Sequence, residues 1–125
     1  MAIKVLKVHH ANIRLQSQDQ AADFYGRVLG LQRDPSMPFE QRRVIWWNTA
    51  DGSQLHTPIG ESVNTTPSGK PIGDHFALAV EDVEEAKRTL QAEGIAFDEQ
   101  VLPGRGLQLF VHDPAGNLVE LQQAR

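Results

Sequence analysis

The chain has 125 residues, a formal net charge of −4 and no cysteine. This length fits one domain, or two small units that share a core. Without cysteine, any bound metal must be held by histidine nitrogens and carboxylate oxygens. The acidic balance argues against a nucleic-acid partner. No apolar run is long enough to span a membrane and the N-terminus lacks a signal-peptide layout, which predicts a cytoplasmic protein with no membrane partner.

The first half of the chain is predicted to begin with a strand and a helix. Residues 3–15 mix β-branched and polar side chains and alternate from His10 onward, so that His10 and Arg14 share one polar face of a strand. Residues 17–20 have the form of a capping box, and Gly30 is placed to end the helix that follows. Three further strands are predicted at 31–33, 42–48 and 53–57.

The same pattern begins again in the second half. Residues 59–73 are rich in Gly, Pro, Ser and Thr and are predicted to form a linker. A strand headed by His75 follows, and Asp82 and Gly94 are placed to begin and end a second helix. Three further strands are predicted at 95–98, 107–112 and 118–122. The prediction is therefore a single domain, 1–125, made of module 1 (about 3–58), the linker and module 2 (about 74–124).

The two halves repeat each other at chemically important positions. His10 and His75 lie 65 residues apart, and a shift of 64 residues relates His56 to Glu120. A fixed offset indicates internal duplication, here two tandem βαβββ modules of the α+β class. Two related modules side by side would bring these four side chains to one shared centre, which predicts a site for one metal ion.

Three imidazoles and one carboxylate suit zinc, nickel, cobalt, manganese or iron(II), whereas calcium and magnesium prefer oxygen ligands. The other two histidines are placed outside this set. His9 faces away from His10 on its strand, and we expect it at the surface or behind the ligands. We expect His112 near the turn before the last strand, in contact with solvent.

Arg14 is the predicted substrate-binding residue. It lies on the face of His10 but about 13 Å farther along the strand, where a guanidinium could hold a remote substrate carboxylate. An exposed arginine at a strand end is the alternative interpretation of the same position. Trp46 and Trp47 are adjacent, so they face opposite sides of their strand, and the pattern does not decide which of them lines a pocket.

Four segments give the chain a resemblance to a known family: HHANIRL, DFYGRVLGL, DHFALAVEDVEEAKRTL and HDPAGNLVEL. Together they resemble the vicinal oxygen chelate superfamily, which includes glyoxalase I, extradiol dioxygenases and bleomycin-resistance proteins. The resemblance implies paired βαβββ modules that form a cupped half-barrel around a divalent metal, with helices outside, and a homodimer. The family ligand positions fall on His10, His56, His75 and Glu120. Arg14 is similar to an arginine of bacterial glyoxalase I that contacts glutathione, whereas His56 stands where that enzyme usually has Glu.

The resemblance implies a metal-dependent lyase or isomerase of glyoxalase I type. It would act on a small oxygenated substrate through a metal-stabilised enediolate, with Glu120 as the catalytic base. One alternative is a non-haem Fe(II) extradiol-type dioxygenase or a thiol transferase, which would use His10, His75 and Glu120. A fourth ligand at His56 would occupy a position that these reactions need. The other alternative is a metal-free small-molecule binding protein of the antibiotic-resistance type, since fold does not fix function.

Overall fold

The structure is a computed structural model that describes residues 2, 4, 6–60, 75–104 and 106–124. The chain divides into two compact units, unit 1 (Met1–Glu61) and unit 2 (Ser62–Arg125). Each unit contains a four-stranded mixed sheet with few helices, which confirms the α+β class. Most of the predicted linker lies outside the described residues. Within the described part of the chain, every helix is too short or too polar to cross a membrane.

Unit 1 follows the predicted order of strands with additional helical turns. Its sheet has the strand order β1-β4-β3-β2, in which β1 and β4 are parallel and the other neighbours are antiparallel. The elements are β1 (His10–Asn12), α1 (Gln18–Ala21) continuing as a π-helix (Ala22–Val28), β2 (Gln32–Arg33), α2 (Phe39–Arg42), β3 (Val44–Asn48) and β4 (Gln54–Pro58).

The predicted first strand, 3–15, is too long among the described residues, and its residues 3 and 5 lie outside them. His10–Asn12 form β1, and Leu15 adds a single bridge to Ile59. The register explains the difference, because His10 lies opposite Gln54, the first residue of β4. The helix begins as predicted, with the Ser17 hydroxyl accepting a hydrogen bond from the Gln20 amide at 3.1 Å.

Unit 2 repeats the topology of unit 1. Its elements are β5 (Phe76–Val80), α3 (Val83–Ala92), β6 (Phe97–Leu102), β7 (Gly106–His112) and β8 (Leu118–Gln123), and its strand order is β5-β8-β7-β6. The predicted hairpin of the last two strands is confirmed. Its turn is held by Asp113, whose Oδ1 accepts from the amides of Ala115 at 2.9 Å and Asn117 at 2.8 Å. Because Asp113 and Asn117 are both buried, these bonds fix the turn.

The register of the strands shows the duplication directly. His56 on β4 lies opposite Trp46 on β3, and Glu120 on β8 lies opposite Phe110 on β7. Both pairs are related by the same shift of 64 residues. In each sheet the alternate residues face the apolar core: Ile45, Trp47, Leu55 and Thr57 in unit 1, and Leu109, Val111, Val119 and Leu121 in unit 2. The candidate site residues therefore lie on the opposite face of their sheets, which in unit 2 also carries the buried side chains of Phe110 and Leu118.

Candidate active site

In unit 2 the structure brings His75 and Glu120 together. Glu120 lies on β8, His75 immediately precedes the parallel neighbour β5, and their Nε2 and Oε1 atoms are 3.3 Å apart. The Glu120 side chain is only 12% exposed, and the His75 ring meets the Phe110 ring edge-to-face at 6.1 Å. Metal bonds of about 2.0–2.2 Å place two neighbouring ligand atoms about 3–3.4 Å apart. The pair therefore has the spacing of two ligands on one ion, and also that of an ion pair if His75 is protonated.

In unit 1 the structure brings His10 and His56 together as stacked rings. Their ring centroids are 4.0 Å apart with an interplanar angle of 18°. The Trp46 ring stacks on His56 at 4.5 Å and 8°. Since β4 lies between β1 and β3, the His56 ring is held between His10 and Trp46. His9 adds an edge contact at the exposed end, with its Nδ1 3.0 Å from Nδ1 of His10.

A face-to-face stack is not an arrangement in which two imidazoles share an ion. Each nitrogen lone pair lies in the plane of its ring, and a metal–nitrogen bond is about 2.0–2.1 Å long. The rings of His10 and His56 are 4.0 Å apart and nearly parallel, so their lone pairs do not converge. At least one ring must rotate before both can bind one ion. Accordingly, the described residues contain no group of three or more His, Asp or Glu side chains arranged to hold a metal ion.

His56 is also held by a polar network that sequence analysis missed. Its Nε2 lies 2.9 Å from Oε1 of Gln54, and Nε2 of Gln54 donates to Asp34 at 2.9 Å and to Asn48 at 2.7 Å. Burial lowers the pKa of His56, and the neighbouring histidines lower it further, whereas Asp34 opposes the shift. The sequence did contain a signal for the contact of Gln54 with His56, since residues two apart on a strand share one face of the sheet.

The comparison with known proteins now decides the family. The sequence profile of the Glyoxalase/Bleomycin resistance protein/Dioxygenase superfamily matches residues 7–121. The chain belongs to this superfamily. Glyoxylase I 4 of Arabidopsis thaliana is a relative of similar sequence, 25% identical over 128 residues, with 95% of this chain and 71% of the relative covered.

Solved structures of the superfamily share the fold. A glyoxalase family protein from Bacillus anthracis has a TM-score of 0.79 and 22% identity, and the match covers 100% of both chains. Lactoylglutathione lyase from Agrobacterium tumefaciens has a TM-score of 0.70 and 21% identity, over 94% of this chain and 93% of that one. At these identities the likeness shows the fold alone.

The remaining candidate residues of this superfamily member have mixed outcomes. Arg14 is exposed and packs close to Gly60, with its Nη1 3.0 Å from the position that a Cβ on that glycine would take. Its substrate-binding role stays a prediction. We expected His112 to contact solvent, but its Nε2 atom is buried and has no hydrogen-bond partner among the described residues. Trp47 is the tryptophan in the core, and Trp46 is the one on the face of His56.

Proposed function

We propose that this protein is a divalent-metal-dependent lyase or isomerase of glyoxalase I type that acts on a small oxygenated substrate. The observation that carries the proposal is the contact of His75 with Glu120, two ligand-type side chains at the spacing of neighbouring metal ligands. Membership of the superfamily supports the same chemistry. The proposal therefore predicts metal binding, which is measurable.

The proposed ligands are His10, His56, His75 and Glu120. His75 and Glu120 fit this role as they stand, whereas His10 and His56 fit only after rotation of a ring. The ring of His10 is exposed and, among the described residues, is stacked on one side only. Its rotation is therefore opposed by the stack on His56 and by the contact with His9. When bound, zinc, nickel, cobalt, manganese or iron(II) would supply a Lewis acid beside two substrate oxygens.

In this proposal Glu120 is the general base. Its carboxylate would take a proton from a substrate carbon and return it to the neighbouring carbon, so that the substrate is isomerised without net loss of atoms. The side chain is mostly buried and lies opposite Phe110, which limits exchange of that proton with water. Arg14 would bind a remote carboxylate of the substrate. Assembly as a homodimer belongs to the same proposal.

Metal binding and turnover test the proposal together. Metal-free protein is titrated with each of the five ions, and the loaded protein is then assayed with hemithioacetals, acyl-CoA thioesters and catechols. We expect Glu120→Gln to lower turnover at least about 100-fold while the circular dichroism spectrum is unchanged. Glu99→Gln is the matched control, because Glu99 pairs with Lys87 on the surface at 2.9 Å. Full activity of Glu120→Gln would overturn the proposal, and oxygen uptake with catechols would support the dioxygenase alternative.

A second candidate function is metal-free binding of a planar small molecule. The stack of His10, His56 and Trp46 favours it, because these rings are packed face to face rather than aimed at a common ion. This function predicts that ligand binding persists in excess chelator and is weakened by Trp46→Ala. The metal-dependent proposal predicts that chelator abolishes both binding and turnover.

A further inference from the structure

We propose that Gln54 is a positioning residue that fixes neutral His56 as the tautomer protonated on Nε2. Nδ1 is then the nitrogen that bears the lone pair and can bind a metal ion or accept a proton. The consequence for metal binding rests on the proposed function, whereas the tautomer itself does not. The orientation of the Gln54 amide depends on Asp34, because a carboxylate can only accept hydrogen bonds.

Asp34 determines which end of the Gln54 amide faces it. Its Oδ1 accepts from the backbone amide of Ser36 at 2.9 Å, and this hydrogen bond lowers the pKa of the carboxyl group, which is therefore ionised. The group of Gln54 that lies 2.9 Å from Oδ2 must then be the NH₂ group. The same NH₂ group donates to Oδ1 of Asn48 at 2.7 Å, so both of its hydrogens are used.

The orientation of the amide then determines the proton on His56. The carbonyl oxygen of Gln54 is left facing Nε2 of His56 at 2.9 Å. A carbonyl oxygen only accepts, so Nε2 must donate. A neutral imidazole carries one N–H, and Nδ1 is therefore unprotonated. Metal-binding histidines commonly donate their other N–H to a carboxylate or a carbonyl, and Gln54 supplies such an acceptor.

The His56 ring is also restrained from rotating away from its hydrogen bond with Gln54. It is held between His10 at 4.0 Å and Trp46 at 4.5 Å, in a nearly parallel stack. A turn of the His56 ring would break both stacks and leave the Gln54 carbonyl without its donor. If one ring of the first unit rotates to bind an ion, we therefore expect it to be that of His10. In the second repeat Leu118 occupies the position of Gln54, so Glu120 has no equivalent amide beside it on its strand.

Histidine NMR measures the tautomer without metal or substrate. In metal-free protein labelled with ¹⁵N-histidine, at about pH 8, where imidazoles are neutral, long-range ¹H–¹⁵N spectra assign the proton to one nitrogen. We expect His56 to carry it on Nε2. Gln54→Leu should give a mixture of tautomers, and it should weaken metal binding about 10–100-fold in a titration. Gln100→Leu is the matched control, because Gln100 and Gln108 are hydrogen-bonded to each other within the sheet of unit 2. This variant should leave the His56 signals unchanged.

A second variant keeps the test decisive if Gln54→Leu does not fold. Asp34→Asn replaces a group that can only accept hydrogen bonds with one that can also donate them. The Gln54 side-chain amide can then rotate by about 180° and present its NH₂ group to His56. We expect the His56 proton to move toward Nδ1. A wild-type protein with the proton on Nδ1, or an unchanged tautomer in both variants, would overturn the inference. Absence of metal binding or turnover would instead count against the proposed function, because the NMR measurement uses neither.

Discussion

Removal of the Thr57 hydroxyl tests how the core of unit 1 supports the candidate site. Trp47 Nε1 donates to Thr57 Oγ1 at 2.9 Å, and the hydroxyl donates in turn to the carbonyl of Ile45 at 3.2 Å. Thr57 is 0% exposed and Trp47 is 3% exposed. Thr57→Val keeps the shape of the side chain but leaves the buried indole N–H without its acceptor. An unpaired buried donor costs about 1–3 kcal/mol, and we expect the free energy of unfolding to fall by that amount.

Tryptophan fluorescence during urea and thermal unfolding measures this loss. Both tryptophans of the chain lie in unit 1, so their emission reports on that unit. For a chain of this length, each kcal/mol lowers Tm by about 3–5 °C. Thr89→Val is the matched control, because its hydroxyl also donates to a backbone carbonyl, that of Glu85 at 3.0 Å, but on an exposed helix. The control should change stability by less than about 0.5 kcal/mol. Equal effects of the two variants would refute the reasoning.

Two further predictions concern carboxylates in turns. The backbone amide of Ser53, with the Thr49 and Ser53 hydroxyls, lowers the pKa of Asp51 to about 2. Because the pKa of Asp51 is lower in the folded state, its carboxylate stabilises the fold above about pH 4, and this stabilisation is lost as the pH falls toward 2. Asp51→Asn should therefore remove that part of the pH dependence of Tm. Asp113→Ala should lower the free energy of unfolding by about 2–4 kcal/mol in urea titrations, because it removes the acceptor for the backbone amides of Ala115 and buried Asn117; a change below about 0.5 kcal/mol would contradict this.

Local sequence signals predicted the repeated order of strands and helices, the helix caps and the hairpin of the last two strands. The offset that relates His56 to Glu120 could be found from sequence because duplication preserves register, and register decides which side chains are neighbours. The short helix α2 was missed, because a single turn of helix leaves no periodic pattern. The helix that ends before Gly30 was predicted, but the π geometry of its second part was not. The stack on Trp46 and the amide network of Gln54 were missed for another reason. They depend on side-chain rotamers across three strands, which residue spacing does not specify.

The duplicated scaffold places chemically different groups at equivalent positions, and their surroundings differ accordingly. His56 is held as a ring by two stacks and by Gln54, and its pKa is lowered by burial, so it is a neutral group in a fixed orientation. Glu120 has Leu118 in place of that amide and His75 as its polar neighbour. A general base must take up and then release a proton during turnover, whereas an oriented metal ligand must not. The restraint on His56 is consistent with the binding role that we propose for it, and in that proposal proton transfer belongs to Glu120.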